Sequence, residues 1–123
     1  MTEIERRHSV RFAIPNAQVH YATPTGMKGN NLLIDMSKSG VSFLSKHNFP
    51  IGEELNLRIE LPDNENLSVK GTVLRVGHND SYAAPFTVVL FYAFGTYEKY
   101  NSFMCHEQIN QIVEAYSKFQ YSA

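Results

Sequence analysis

ELNLRIELP, residues 54–62, sets Leu55, Leu57, Ile59 and Leu61 against Asn56, Arg58 and Glu60. Alternation of this kind turns the apolar side chains to one face of an extended strand and the polar ones to the other. This is the clearest half-buried strand in the chain. Downstream, DNEN (63–66) reads as a turn, and LSVKGTVLRV (67–76) and YAAPFTVVLFYAF (82–94) as two long β-rich runs joined by GHNDS (77–81). Pro85 belongs at an edge or bulge. Gly71 marks a bulge or tight bend of the sort that helps a barrel close. Upstream, AQVHYAT (17–23), NLLIDM (31–36) and VSFLS (41–45) read as shorter strands, separated by TPTGMKGNN (23–31) and SKSG and followed by the loop HNFPIG (47–52).

After Gly95-Thr96 the period changes. Tyr100, Met104, Ile109, Ile112, Val113, Tyr116 and Phe119 recur at helical spacing, with Thr96 as the expected N-cap. Tyr97, Tyr100, Phe103 and Met104 are read as helix packing rather than a stacking platform. The fold class is therefore mainly β, with about six antiparallel strands and one C-terminal helix. Residues 1–15 read as a polar arm ending at Pro15, and 16–123 as the rest of a single domain.

Lys+Arg number 11 and Asp+Glu 12, for a net charge of −1, so no global basic field draws nucleic acid or a membrane surface. The single cysteine, Cys105, excludes an internal disulfide and fits a reducing compartment. MTEIERRHSV lacks the apolar core of a signal peptide, and no apolar run reaches 18 residues. A cytoplasmic protein without a membrane span is expected.

Two stretches carry chemistry. ERRHSVR (5–11) packs three arginines into seven residues. Arg7 and Arg11, four apart, share a side of a helix or strand and lie roughly 13 Å apart if extended. Two guanidinium forks at that reach suit two phosphates, or one phosphate and one guanine edge. Surface pairing with Glu3 and Glu5 is the plainer reading of this stretch alone. In DMSKSG (35–40), Asp35 offers a carboxylate to guanine N–H groups, Ser37 a hydroxyl, and Gly40 a sharp turn or close approach. An ordinary turn in which Asp35 and Ser37 bond their own backbone is the alternative. Arg75 could face a ligand, although a solvated strand arginine is the plainer reading. The five histidines have no metal-ligand spacing, and no nucleophile–base set is evident, so neither metal nor catalysis is expected.

Taken together, Arg7-His-Ser-Val-Arg11 and Asp35-Met-Ser-Lys-Ser-Gly40 match R-x-x-x-R and D/N-x-S-x-x-G, the paired motifs of the PilZ domain, which the chain resembles over nearly its whole length. The resemblance implies a six-stranded antiparallel split or Greek-key barrel with a flexible N-terminal arm and a terminal helix. It also implies a receptor for cyclic di-GMP, a bacterial second messenger, bound as one molecule or an intercalated pair. By that likeness Arg7 and Arg11, helped by Arg6, hold phosphates and guanine edges, Asp35 and Ser37 bond a guanine, and Gly40 shapes the turn. No cofactor and no enzymatic activity are implied. The arm would order around the ligand, and an unidentified downstream protein would sense the change. The alternative is a PilZ-type interaction module that binds no nucleotide.

Overall fold

The computed structural model describes residues 10–119. The alternating stretch forms β4 (Glu54–Glu60), with Leu55, Leu57 and Ile59 buried and Asn56 and Arg58 exposed. It lies antiparallel between β1 (Gln18–Ala22) and β5 (Asn66–Asn79). β1 pairs with β2 (Lys28–Met36), β2 with β3 (Gly40–Leu44), β3 with β6 (Ala84–Phe91), and β6 with β5. The ring closes in the order β1-β2-β3-β6-β5-β4, two three-stranded meanders joined along two seams. The six-stranded antiparallel barrel with a C-terminal helix is thus the fold the chain adopts.

Several boundaries differ from the sequence reading. β2 begins at Lys28, because all of β1 has a partner there and the turn needs only a tight bend. In that bend Thr23 N–H donates to Met27 O at 2.9 Å and Gly26 has φ +98°. β5 continues through Gly77 and His78, since both still pair with β6. Gly71 holds a regular register, with Leu55 on one side and Phe91 on the other, and the irregularity falls near Leu74 instead. What demands glycine at 71 is crowding: a Cβ there would lie 2.5 Å from both Leu90 O and Val89 Cγ1.

Inward side chains from all six strands fill the barrel, with Val19, Phe43, Leu55, Ile59, Leu67 and Val89 at 0% exposure among them. Phe49, on the connection from β3 to β4, plugs one end edge-on to Tyr21 at 5.3 Å, and Tyr21 in turn stacks on Phe43 at 5.6 Å. Within the stretch read as an arm, Phe12 and Ile14 belong to this core. Phe12 exchanges two 2.9 Å backbone hydrogen bonds with Met36, so the chain enters alongside the far end of β2.

The helix α1 spans Phe103–Tyr116, and its N-cap is Ser102 rather than Thr96. The Ser102 hydroxyl accepts from Cys105 N–H at 3.1 Å. The reason lies one residue earlier. Asn101 is buried, and its side chain accepts from Lys70 N–H at 2.8 Å and donates to Lys70 O and Tyr92 O at 2.9 and 3.1 Å. Those bonds hold the backbone against β5 and delay the helix. α1 then buries Cys105, Ile109 and Ile112 on the barrel, with Val113 and Tyr116 half-covered. The expected packing role of Tyr97, Phe103 and Met104 is overturned, since they are 72%, 61% and 74% exposed, and Tyr100, at 37%, precedes the helix. Among the described residues no helix is long and apolar enough to cross a membrane.

Candidate functional site

Two bulges build the site. On β2, Leu33 pairs with Phe43 and Asp35 with Ser42, leaving Ile34 as the extra residue. On β5, Val73 pairs with Val89 and Arg75 with Val88, leaving Leu74 extra. In an unbroken strand Asp35 would share the core face of Leu33, and Arg75 that of Val73. Each bulge moves its polar residue to the face turned away from the core. One lateral row then runs Asp35, Ser42, Val88, Arg75 across four strands, with the carboxylate at one end and the guanidinium at the other. Three strand spacings put these two backbones roughly 14 Å apart.

Over this row lies a hollow of about 270 Å³, bordered by Arg11, Asp35, Ser37, Gly40 and the pair Leu74–Arg75. Asp35 is 5% exposed. One of its oxygens accepts from the Ser42 hydroxyl at 2.5 Å, and the other from Arg11 Nη2 at 2.5 Å. Arg11 reaches it because the Phe12–Met36 bridge lays that part of the chain beside β2. The Arg11 side chain is 56% exposed, so its guanidinium keeps most of its donors free for another anion. Arg75 is exposed and borders the hollow, and its guanidinium lies 5.6 Å from the centre of the Phe86 ring, a cation–π contact.

The hairpin between β2 and β3 is closed by Ser37 N–H donating to Gly40 O at 2.9 Å. Ser37 Oγ accepts from Ser39 N–H at 3.2 Å, which tightens the turn and aims the hydroxyl along its rim. Gly40 has no left-handed φ, so turn freedom is not its role. A Cβ there would collide with the Val89 carbonyl oxygen, so glycine lets β6 run close under the hairpin.

Of the expected site residues, the fold brings together Arg11, Asp35, Ser37 and Gly40. Arg6 and Arg7 lie outside the described residues. Arg75, which the sequence reading set aside, stands at the opposite end of the row, and Ser42, which it did not consider, holds the carboxylate. Among the described residues, no three His, Cys, Asp or Glu side chains converge as a metal site.

The family model of the PilZ domain matches residues 5–89, which include both motifs. The chain belongs to the PilZ domain family. Solved structures show the same fold. This PilZ chain is similar to the PilZ domain of YcgR from Escherichia coli with cyclic di-GMP, at 13% identity and TM-score 0.70, covering 92% of each chain. It is similar to the Bacillus subtilis inhibitor of motility, MotI/DgrA, at 16% identity and TM-score 0.65, covering 89% of this chain and 51% of that one. It is also similar to the K. pneumonia MrkH–cyclic di-GMP complex, at 15% identity and TM-score 0.70, covering 89% and 51%. The chain thus spans about half the length of the latter two. No curated protein matches it in sequence.

Proposed function

We propose that this PilZ chain is a cyclic di-GMP receptor that passes its signal to another protein and performs no catalysis. The observation that carries the reading is the row from Asp35 to Arg75, with Arg11 at its acidic end. It offers an oriented acceptor for guanine N–H groups between two cationic forks, and the ligand has two guanines and two phosphates. In this structure Arg11 occupies one oxygen of Asp35. On binding, a guanine edge takes that place and the guanidinium turns to a phosphate or to the acceptors of the second guanine. The exchange costs little, since an ion pair with one half-exposed partner contributes modestly. Ser42 keeps the carboxylate aimed throughout. Ser37 supplies a hydroxyl at the rim, and Arg75 meets the far half of the ligand.

The hollow is smaller than the roughly 300–1,000 Å³ usual for small-molecule sites. The remainder of the ligand therefore needs cover from another segment. Arg6 and Arg7 precede Arg11 and are the residues to supply it. Ordering that segment around the nucleotide is the event a downstream protein would sense. A bacterial second messenger places this action in the cytoplasm.

The test is calorimetric titration with cyclic di-GMP, with GTP as control. Saturable binding at about micromolar affinity or tighter, lost in Arg7→Ala and Asp35→Ala, establishes the receptor and gives the stoichiometry. Arg75→Ala should weaken binding about tenfold, the loss of one charge-assisted contact. Absence of heat at tens of micromolar, with no NMR shifts at residues 10–12 or 35–42, removes the receptor reading. It leaves a protein-interaction module in which the Arg11–Asp35 ion pair is purely structural.

A further inference from the structure

The wall of the barrel away from this hollow carries a second concave surface. Two outward rows run side by side across β2, β1, β4 and β5: Lys28, Ala22, Asn56, Lys70 and then Asn30, His20, Arg58, Ser68. Short side chains at Ala22 and Ser68 leave a trough, closed on one side by Tyr100 and Ser102. Its volume is about 970 Å³, and among the described residues no carboxylate lines it. Three cations do, in a protein whose net charge is −1. Lys28 and Lys70 stand at opposite ends of one row, roughly 14 Å apart along the sheet. Lys70 Nζ donates to Glu98 O at 2.7 Å, which fixes its position without neutralising it. Arg58 bonds Asn66 at 2.8 Å and is 3.9 Å from Glu60, which lies outside the trough, so the two lysines carry most of the positive field.

Asn101 anchors the side closed by Tyr100 and Ser102 to β5 and to Tyr92. Beside it stands an apolar rim. Tyr97 packs edge-on to Tyr100 at 5.4 Å, and Phe103 and Met104, both exposed, flank Ser102 and Cys105 of the trough. Exposed aromatic and methionine side chains beside a charged groove are the composition of a protein-recognition surface. The cations are too far apart to converge on one phosphate. Three are also too few to give tight binding to a nucleic acid backbone.

We propose that this trough and its aromatic rim dock an extended, acidic segment of a partner protein, with carboxylates meeting Lys28 and Lys70 and an apolar side chain meeting Tyr97, Phe103 or Met104. The inference does not rest on the cyclic di-GMP reading, and its test contains no nucleotide. A fluorescein-labelled dodecapeptide of alternating Glu and Leu is titrated with the full chain, and an alternating Lys and Leu peptide serves as control. Saturable anisotropy with the acidic peptide alone is expected, with amide shifts confined to residues 20–30, 56–70 and 97–105. Binding should weaken at least about tenfold in K28E/K70E and fall with added salt. Lys28→Glu alone, at an exposed position, gives the same direction should the double variant fold poorly. No saturation, or equal binding after charge reversal, overturns the proposal. So does sedimentation showing a dimer of the free protein that K28E/K70E dissolves, which would make the face a contact between copies of this chain.

Discussion

Thr87 shows how much a single position can withhold. It is 0% exposed, and its hydroxyl has no partner among the described residues. An unpaired buried hydroxyl costs free energy that an isosteric methyl does not. Thr87→Val should raise stability by about 1 kcal/mol, read as a higher urea midpoint with unchanged slope. At this scale the site was half legible. Asp35, Ser37, Gly40 and Arg11 stood out because their residue types and spacing matched a known pair of motifs. Arg75 and Ser42 did not, because a strand read by strict alternation sends residue 75 to the same face as Val73. A signal was present all the same: the adjacent apolar pairs Leu33-Ile34 and Val73-Leu74 break the alternation where the two bulges fall.

Among elements, β4 was plain because nothing interrupts its alternation. The start of α1 was not. Tyr97, Tyr100 and Met104 have helical spacing, but the decision belongs to Asn101, whose long-range bonds to β5 no local pattern announces. Capping offers a direct check. Ser102→Ala removes the acceptor for Cys105 N–H and should cost about 1 kcal/mol, whereas Thr96→Ala should leave the melting temperature unchanged. Gly71 is set by the neighbouring strand. Gly71→Ala drives a methyl into Leu90 O and Val89, and should cost about 1–3 kcal/mol through displacement of β6. A variant as stable as the parent would show that β6 yields more freely than the packing implies.

For the molecule as a whole, the pH response follows from three groups held in their protonated form. Burial pushes the Cys105 thiol up. Burial also raises Tyr92, with the nearby Glu54 carboxylate adding to it, and raises Tyr116, with Asp63 and Glu65 adding. Each folded pKa lies above its unfolded value, so the folded chain holds these protons more tightly. Their stabilisation is complete at neutral pH and is lost as pH rises through the raised values. Melting temperature should be level near pH 7 and fall above roughly pH 9, and a flat profile to pH 11 would contradict the assignment. The six strands and the helix were readable because patterning and turn residues recur along the chain, whereas their closure into a barrel was implied by the likeness to the PilZ domain. The pairing order was not readable, since closing β1 on β4 joins segments that no local signal links. That closure has one more consequence. Among the described residues every strand has a neighbour on both sides along part of its length, but the stagger leaves Lys28–Leu32 of β2 paired with β1 alone and Arg75–Asn79 of β5 paired with β6 alone. A foreign strand added by β-augmentation would find its footing at such overhangs, not along the closed middle of the ring. Around the closed middle, recognition must be made through side chains.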